Sequence, residues 1–146
     1  MFICSPPAND NNNFDEFIRI LASELSLTYI NEFRRNDVIF CLCDNNVQQY
    51  LKTIVEENLK PEAVLLFSPS FSKLLFREFY KIGFPVLIVA NRNNMEELRS
   101  GWIYHDNIAD SKMENVSGDN QELWVSRRTQ CISLTKKFLA NGFKII

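Results

Sequence analysis

The chain has 146 residues, 46% of them hydrophobic and 23% charged, with a formal net charge of −2 and a pI near 5.5. That length suits one domain with a real core and is too short for two ordinary ones; the composition excludes a disordered polymer. The slightly acidic balance argues against nucleic acid or an anionic membrane surface as the main partner, and no apolar run approaches the ~18 residues of a membrane span.

Four apolar runs, at residues 2–4, 38–43, 63–67 and 86–90, each stop at small or polar residues and give way to a helical pattern. After the first run, Asn13 followed by Glu16 reads as a helix N-cap with its reciprocal partner. From Phe14 onward, Phe17, Ile18, Leu21 and Leu25 then share one face. Residues 27–33 are extended in character and lead through Arg34-Arg35-Asn36-Asp37, a turn, into the second run. They fit either a short strand pair or a second strand and a loop. A helix over 46–59 turns Val47, Tyr50, Leu51 and Ile54 inward and ends at Pro61. Past the third run, Pro69 opens a helix over 71–82 that stops at Gly83.

Pro85 precedes the fourth run, and Asn94 with Glu97 repeats the capping pattern for a short helix over 95–100. Gly101 releases the chain into Trp102-Ile103-Tyr104, a fifth or edge strand. Residues 106–120 are polar and aperiodic, the expected mobile loop. A long helix over 121–140 ends at Asn141-Gly142, and residues 143–146 are expected to return as a terminal strand. Such alternation predicts the α/β class. The architecture is a three-layer α/β/α sandwich around a mostly parallel four- to five-stranded sheet, flavodoxin-like or Rossmann-like, spanning 1–146 as one domain.

Cys4, Cys41 and Cys43 lie in predicted strands and Cys131 in a predicted helix, so all four are expected as buried, reduced thiols. Cys41 and Cys43 face the same side of the sheet; their spacing is not that of a zinc site, and no metal is expected. The first residues carry neither a basic segment nor a long apolar core, so no secretory signal is read and a cytoplasmic protein is expected. Asn115-Val116-Ser117 fits the glycosylation pattern and is then silent.

In sheets of this kind ligands gather at the carboxyl ends of the strands. Ser68, Ser70, Asn91, Arg92 and Asn93 stand there, and a helix N-terminus beside Arg92 would suit a phosphate or carboxylate. Capping alone would also place Ser and Asn at these positions. With 4 glycines and no glycine-rich phosphate loop, nucleotide binding of the usual kinds and any cofactor are not expected. His105, the single histidine, stands beside Asp106 at a predicted strand end and is the one catalytic candidate, as a proton carrier. No nucleophile elbow accompanies it.

Pro85–Asn94 resembles the strand and guanine-recognition loop of small GTPases, with Arg92 and Asn94 standing where that loop has Lys and Asp and with no phosphate loop. Residues 63–103 resemble type II dehydroquinases in strand–loop–helix spacing; Arg92-Asn93 replace that family's Ser-Asn, and its long N-terminal loop has no counterpart. Neither resemblance implies an activity here.

Surface patterning is more informative. On the 71–82 helix, Phe76 and Tyr80 point away from the Phe71, Leu74, Leu75, Phe79 and Ile82 cluster. On the last helix, Leu123, Trp124, Cys131, Leu134 and Phe138 form an inner stripe, and Val125, Ile132 and Leu139 a second one. Arg127, inside the first stripe, either needs an anionic partner or covers the sheet with its stem. The leading expectation is therefore a non-catalytic protein acting through protein–protein contact, by self-association or as a small subunit of an assembly. The alternative is a small-molecule enzyme or sensor that binds an anionic ligand over the strand ends.

Overall fold

The second, third and fourth apolar runs become three adjacent strands with every side chain buried but one. They are β3 (Val38–Asp44), β4 (Ala63–Pro69) and β5 (Val86–Asn91), and only Asp44 at the end of β3 is exposed. The computed structural model describes residues 1–5, 12–30, 37–44, 46–71, 78–119 and 122–142. Two further strands, β1 (Phe2–Cys4) and β2 (Thr28–Ile30), lie on one side of the central three, and β6 (Ser111–Val116) lies on the other. Among the described residues the sheet has six strands in the order β2-β1-β3-β4-β5-β6, all parallel.

Continuous apolar runs are required because both faces are covered. From β3, Ile39, Cys41 and Cys43 enter one core, while Val38, Phe40 and Leu42 enter the other. The first core is closed by α1 (Asn12–Leu25), α4 (Leu123–Ser126) and α5 (Arg128–Gly142), the second by α2 (Asn46–Glu56) and α3 (Met95–Asn107). In the first, Phe14 meets Trp124 at 5.0 Å and Phe17 meets Phe67 at 5.2 Å, both edge to face. Each such pair adds about 1 kcal/mol beyond its buried area. All four thiols are free and buried, with Cys41 and Cys43 on one side as expected. Burial pushes Cys4 and Cys131 up to about 12, which leaves them protonated and inert.

Helices α1 and α2 end alike. Leu27 N–H reaches the Ala22 carbonyl at 2.9 Å and Ser26 N–H the Ser23 carbonyl at 3.3 Å. Leu59 N–H reaches Ile54 at 3.0 Å and Asn58 N–H reaches Val55 at 3.2 Å. These are Schellman closures, with Ser26 (φ 56°) and Asn58 (φ 54°) in the left-handed conformation.

Several boundaries differ from the sequence expectations. Within residues 27–33, Thr28–Ile30 pairs parallel to β1, and 31–33 lie outside the described residues. Trp102-Ile103-Tyr104 is helical, because α3 runs unbroken through Gly101. A Cβ on Gly101 would lie 2.6 Å from Met113 Cε and 3.3 Å from Ala90 Cβ, so this glycine serves close packing of the helix on β5 and β6, not termination. The expected loop over 106–120 contains β6, which pairs with β5 over its full length. It reads as polar because it is an edge strand whose first five side chains are only partly buried or exposed.

The expected helix over 71–82 is not seen at its described end. Phe79–Lys81 is a single 3₁₀ turn between Glu78 and Ile82, with Phe79 buried and stacked on Phe71 at 5.8 Å. Residues 72–77, and with them Phe76, Leu74 and Leu75, lie outside the described residues, as do 143–146. The last helix is two: Arg127 (φ −131°, ψ 42°) breaks it, and its guanidinium donates to the carbonyls of Ser117 (2.8 Å) and Ser126 (3.1 Å). Backbone carbonyls are thus the partners of the Arg127 side chain.

Candidate functional site

From β1 the chain moves outward to β2 and returns to β3 on the other side of β1, so the direction of winding reverses between β1 and β3. At such a reversal neighbouring crossovers leave on opposite faces and a crevice opens at the carboxyl edge. On the β3–β4 side of that edge lies a polar cleft of about 520 Å³. Its floor is Asp44, Ser68 and Ser70, its wall the first turns of α3, with Glu96, Glu97 and Arg99, and its apolar side Phe71 and Ile103. Two other hollows, of about 490 and 410 Å³, sit at the amino edge; Ile54, Leu59 and Phe84 line one, and Met1, Leu25 and Leu27 the other.

The floor is strained. Asp44 (φ 51°) and Ser68 (φ 50°), at the ends of neighbouring strands, are both in the left-handed region. That conformation costs a side-chain-bearing residue about 1–2 kcal/mol. The pairing slips at the same place: Cys43 faces Phe67 but Asp44 faces Pro69, so Ser68 is the extra residue of a bulge. Ser70 N–H then closes back on the Asp44 carbonyl at 3.3 Å.

Carboxylates dominate the electrostatics. Desolvation at the strand end lifts Asp44 to about 6, and the Glu122 carboxylate adds to the rise. Among the described residues the Asp44 carboxylate has no hydrogen-bond or ion-pair partner. Glu97 is also raised, mainly by burial; the Asn91 backbone N–H and the Ser68 hydroxyl, which both donate to it, partly offset this, and Asp44 adds to it. Desolvation raises Cys43 most, and then the charges of Asp44, Glu122 and Asp15, so carboxylates from β3, α4 and α1 converge around it. The Asn94 side chain accepts from Glu97 N–H at 3.1 Å, as the capping pattern predicts. The Glu97 carboxylate, however, reaches back past the cap to the end of β5.

Of the expected ligand residues, the structure brings Ser68 and Ser70 together in the cleft and directs the other three elsewhere. Arg92 is exposed in the turn after β5, its N–H bonded to the Val116 carbonyl at 3.0 Å. Asn93 donates to Ser117 Oγ (2.8 Å) and the Gly118 carbonyl (3.0 Å). Asn91 is buried, with its amide engaged by the same connection. His105 is on α3, not at a strand end; it bonds Ser111 Oγ at 2.9 Å and packs on Trp102. Eight residues beyond Glu97 along a helix, its backbone is about 12 Å from that of Glu97.

Of the expected interface residues, Tyr80 is 80% exposed and Val125 38%, while Ile132 and Leu139 are half-buried against the first core. The residues sequence reasoning missed are Glu97, which reads as an ordinary cap partner, and Glu122, whose effect on Asp44 depends on the fold.

Chemically, carboxylates outnumber cations in the lining: among the described residues Asp44, Glu96 and Glu97 stand against Arg99. Ser68 is strained and bonded to a carboxylate, as a nucleophile would be. The following residue is Pro69, however, which has no N–H to stabilise an oxyanion at the usual elbow position. Among the described residues no group of three or more His, Cys, Asp or Glu is placed to hold a metal ion. No described helix is long and apolar enough to cross a membrane. The chain matches no family model, no curated protein and no solved structure.

Proposed function

We propose that the protein is a non-catalytic α/β module that binds a small hydrogen-bond-donating ligand, an amine or a polyol, in the strand-end cleft. The observation that carries this reading is the pair Asp44 and Ser68. They are two side-chain-bearing residues held in strained backbone at adjacent strand ends, on the floor of a 520 Å³ polar cleft. Natural sequences retain such strain mostly where it orients a functional group. The charge of the lining favours a donor over the phosphate or carboxylate expected from Ser68, Ser70 and Arg92. Four free, buried thiols suit a reducing compartment and support a cytoplasmic location.

A thermal-shift panel tests this with polyamines, amino sugars and monosaccharides on one side and phosphate, nucleotides and dicarboxylates on the other. A binder at a hundred times its Kd stabilises by about 2.7 kcal/mol, roughly 5–10 °C for a chain of this size. The rise is expected from a donor ligand and is lost in Asp44→Asn. A response confined to anions, or one indifferent to Asp44, would reverse the assignment.

The second reading, contact with a protein partner or a second copy, draws on Tyr80, Val125 and the α3 stripe of Met95 (72% exposed) and Trp102 (44%), which are seven residues apart and so on one face.

A further inference from the structure

Two segments lie at the carboxyl edge beside the cleft, the β5–α3 turn and residues 117–119 after β6, and one buried side chain joins them. Asn91 is 6% exposed. Its Oδ1 accepts from Asn93 N–H (3.0 Å) and from Gly118 N–H (3.0 Å), and its Nδ2 donates to the Asp119 carbonyl (3.1 Å). Its backbone is committed as well: the carbonyl accepts from Asn94 N–H at 3.0 Å, and the N–H donates to the Glu97 carboxylate.

The bond to Asn93 shapes the turn that presents Asn94 as the cap of α3, and thereby fixes the helix turn that carries Glu97. The bonds to Gly118 and Asp119 hold the other segment just before Glu122 starts α4. Space at Gly118 is tight, since a Cβ there would lie 2.6 Å from Leu123 Cδ2 and 3.2 Å from Asn91 Nδ2. Glu97 and Glu122 both interact electrostatically with Asp44; the Asn91 N–H bonds the first, and the second follows three residues after Asp119, whose carbonyl the Asn91 side chain holds.

We propose that Asn91 is the positioning residue of the strand-end cleft: without lining it, this side chain sets Glu97 from one side and Glu122 from the other, and so sets the electrostatic environment of Asp44. This rests on reading the cleft as a ligand site, but its test needs no ligand. A panel without binders would remove the ligand reading and leave the positioning role measurable.

The test is the side-chain carboxyl ¹³C titration of Asp44 and Glu97 in the full chain. Among the described residues Asp44 interacts electrostatically with Glu122, the cap of α4, and with Glu97 of α3, while Asp15 of α1 acts on the adjoining Cys43 and Arg99 is a cation of the cleft. In wild type Asp44 titrates near 6. Asn91→Ala releases both segments, and the Asp44 midpoint moves down by about half a pH unit or more. Asn91→Asp keeps both accepted bonds and holds it at or above the wild-type value. Glu122→Gln lowers it too, and the double variant shifts it by less than the sum of the two, because part of the Asn91→Ala effect passes through the Glu122 charge.

A folded Asn91→Ala with an unmoved Asp44 midpoint overturns the proposal, and so does an equal downward shift in Asn91→Asp. Should Asn91→Ala not fold, Gly118→Ala pushes the second segment off an intact Asn91. The same downward shift supports the role, and an unchanged midpoint overturns it.

Discussion

Ser26 and Ser68 share a residue type and a left-handed backbone, at opposite edges of the sheet. Ser26 is exposed and closes α1 in a Schellman turn that backbone hydrogen bonds complete without its side chain. Ser68 is 7% exposed, forms a bulge at the end of β4 and donates its hydroxyl to Glu97. At the amino edge the conformation serves chain reversal, and glycine would serve it better. At the carboxyl edge the side chain is what the conformation positions. Strain alone therefore does not mark a site; strain at residues whose side chains line the polar cleft does.

The largest test of this contrast is pH. Asp44 and Glu97 hold protons more tightly in the folded protein than in the unfolded chain, so the native state binds more protons and stability falls as pH rises through the window. For Asp44 that window runs from 3.8 to about 6. Chemical denaturation at fixed pH should show stability increasing as the solution is acidified from 7 towards 4.5, unlike the usual acid weakening. Asp44→Asn removes part of this slope and stabilises above pH 6, by about 1 kcal/mol because solvent screens the partly open position. It is neutral below pH 4. A wild-type profile that falls on acidification would remove the carboxylate strain from the carboxyl edge.

The two serines are compared directly by glycine substitution. Ser26→Gly should stabilise by about 0.5–1 kcal/mol, since an exposed C′ position gains from losing its Cβ. Ser68→Gly relieves similar strain but deprives Glu97 of a hydroxyl donor, an offsetting loss of about 1 kcal/mol. Urea midpoints should rise for the first and stay nearly level for the second, and equal rises would show that Ser68 holds nothing.

The smallest effect is expected at Trp124, which is fully buried with an indole N–H that has no hydrogen-bond partner among the described residues. Trp124→Phe loses apolar volume but also removes an unsatisfied donor, terms of about 1–2 kcal/mol each. The net change in unfolding free energy should lie within about 0.5 kcal/mol of zero. A loss of several kcal/mol would show that the N–H is satisfied after all.

What was legible in the sequence follows from burial. Val38–Asp44 and Val86–Asn91 stand out because a strand covered on both faces must be apolar throughout, and Val47, Leu51 and Ile54 betray the inner face of α2 by their spacing. Ser111–Val116 was hidden because an edge strand satisfies its backbone on one side only and places few demands on its side chains. Gly101 misled because a glycine selected for close packing looks the same in sequence as one that ends a helix. Ser68 and Ser70 could be placed at the strand ends from spacing alone. The carboxylate environment could not, because it depends on Glu122 and Asp44, distant in sequence, meeting across the sheet end.

The polar character of β6 also bears on how the molecule behaves in concentrated solution. Its outer margin is the last row of the sheet among the described residues, and Lys112 and Glu114, 3.8 Å apart, sit on it as gatekeepers. A stray strand seeking to extend the ladder would have to dehydrate that ion pair and the exposed Asn115. This makes the flank a poor template for fibrillar growth.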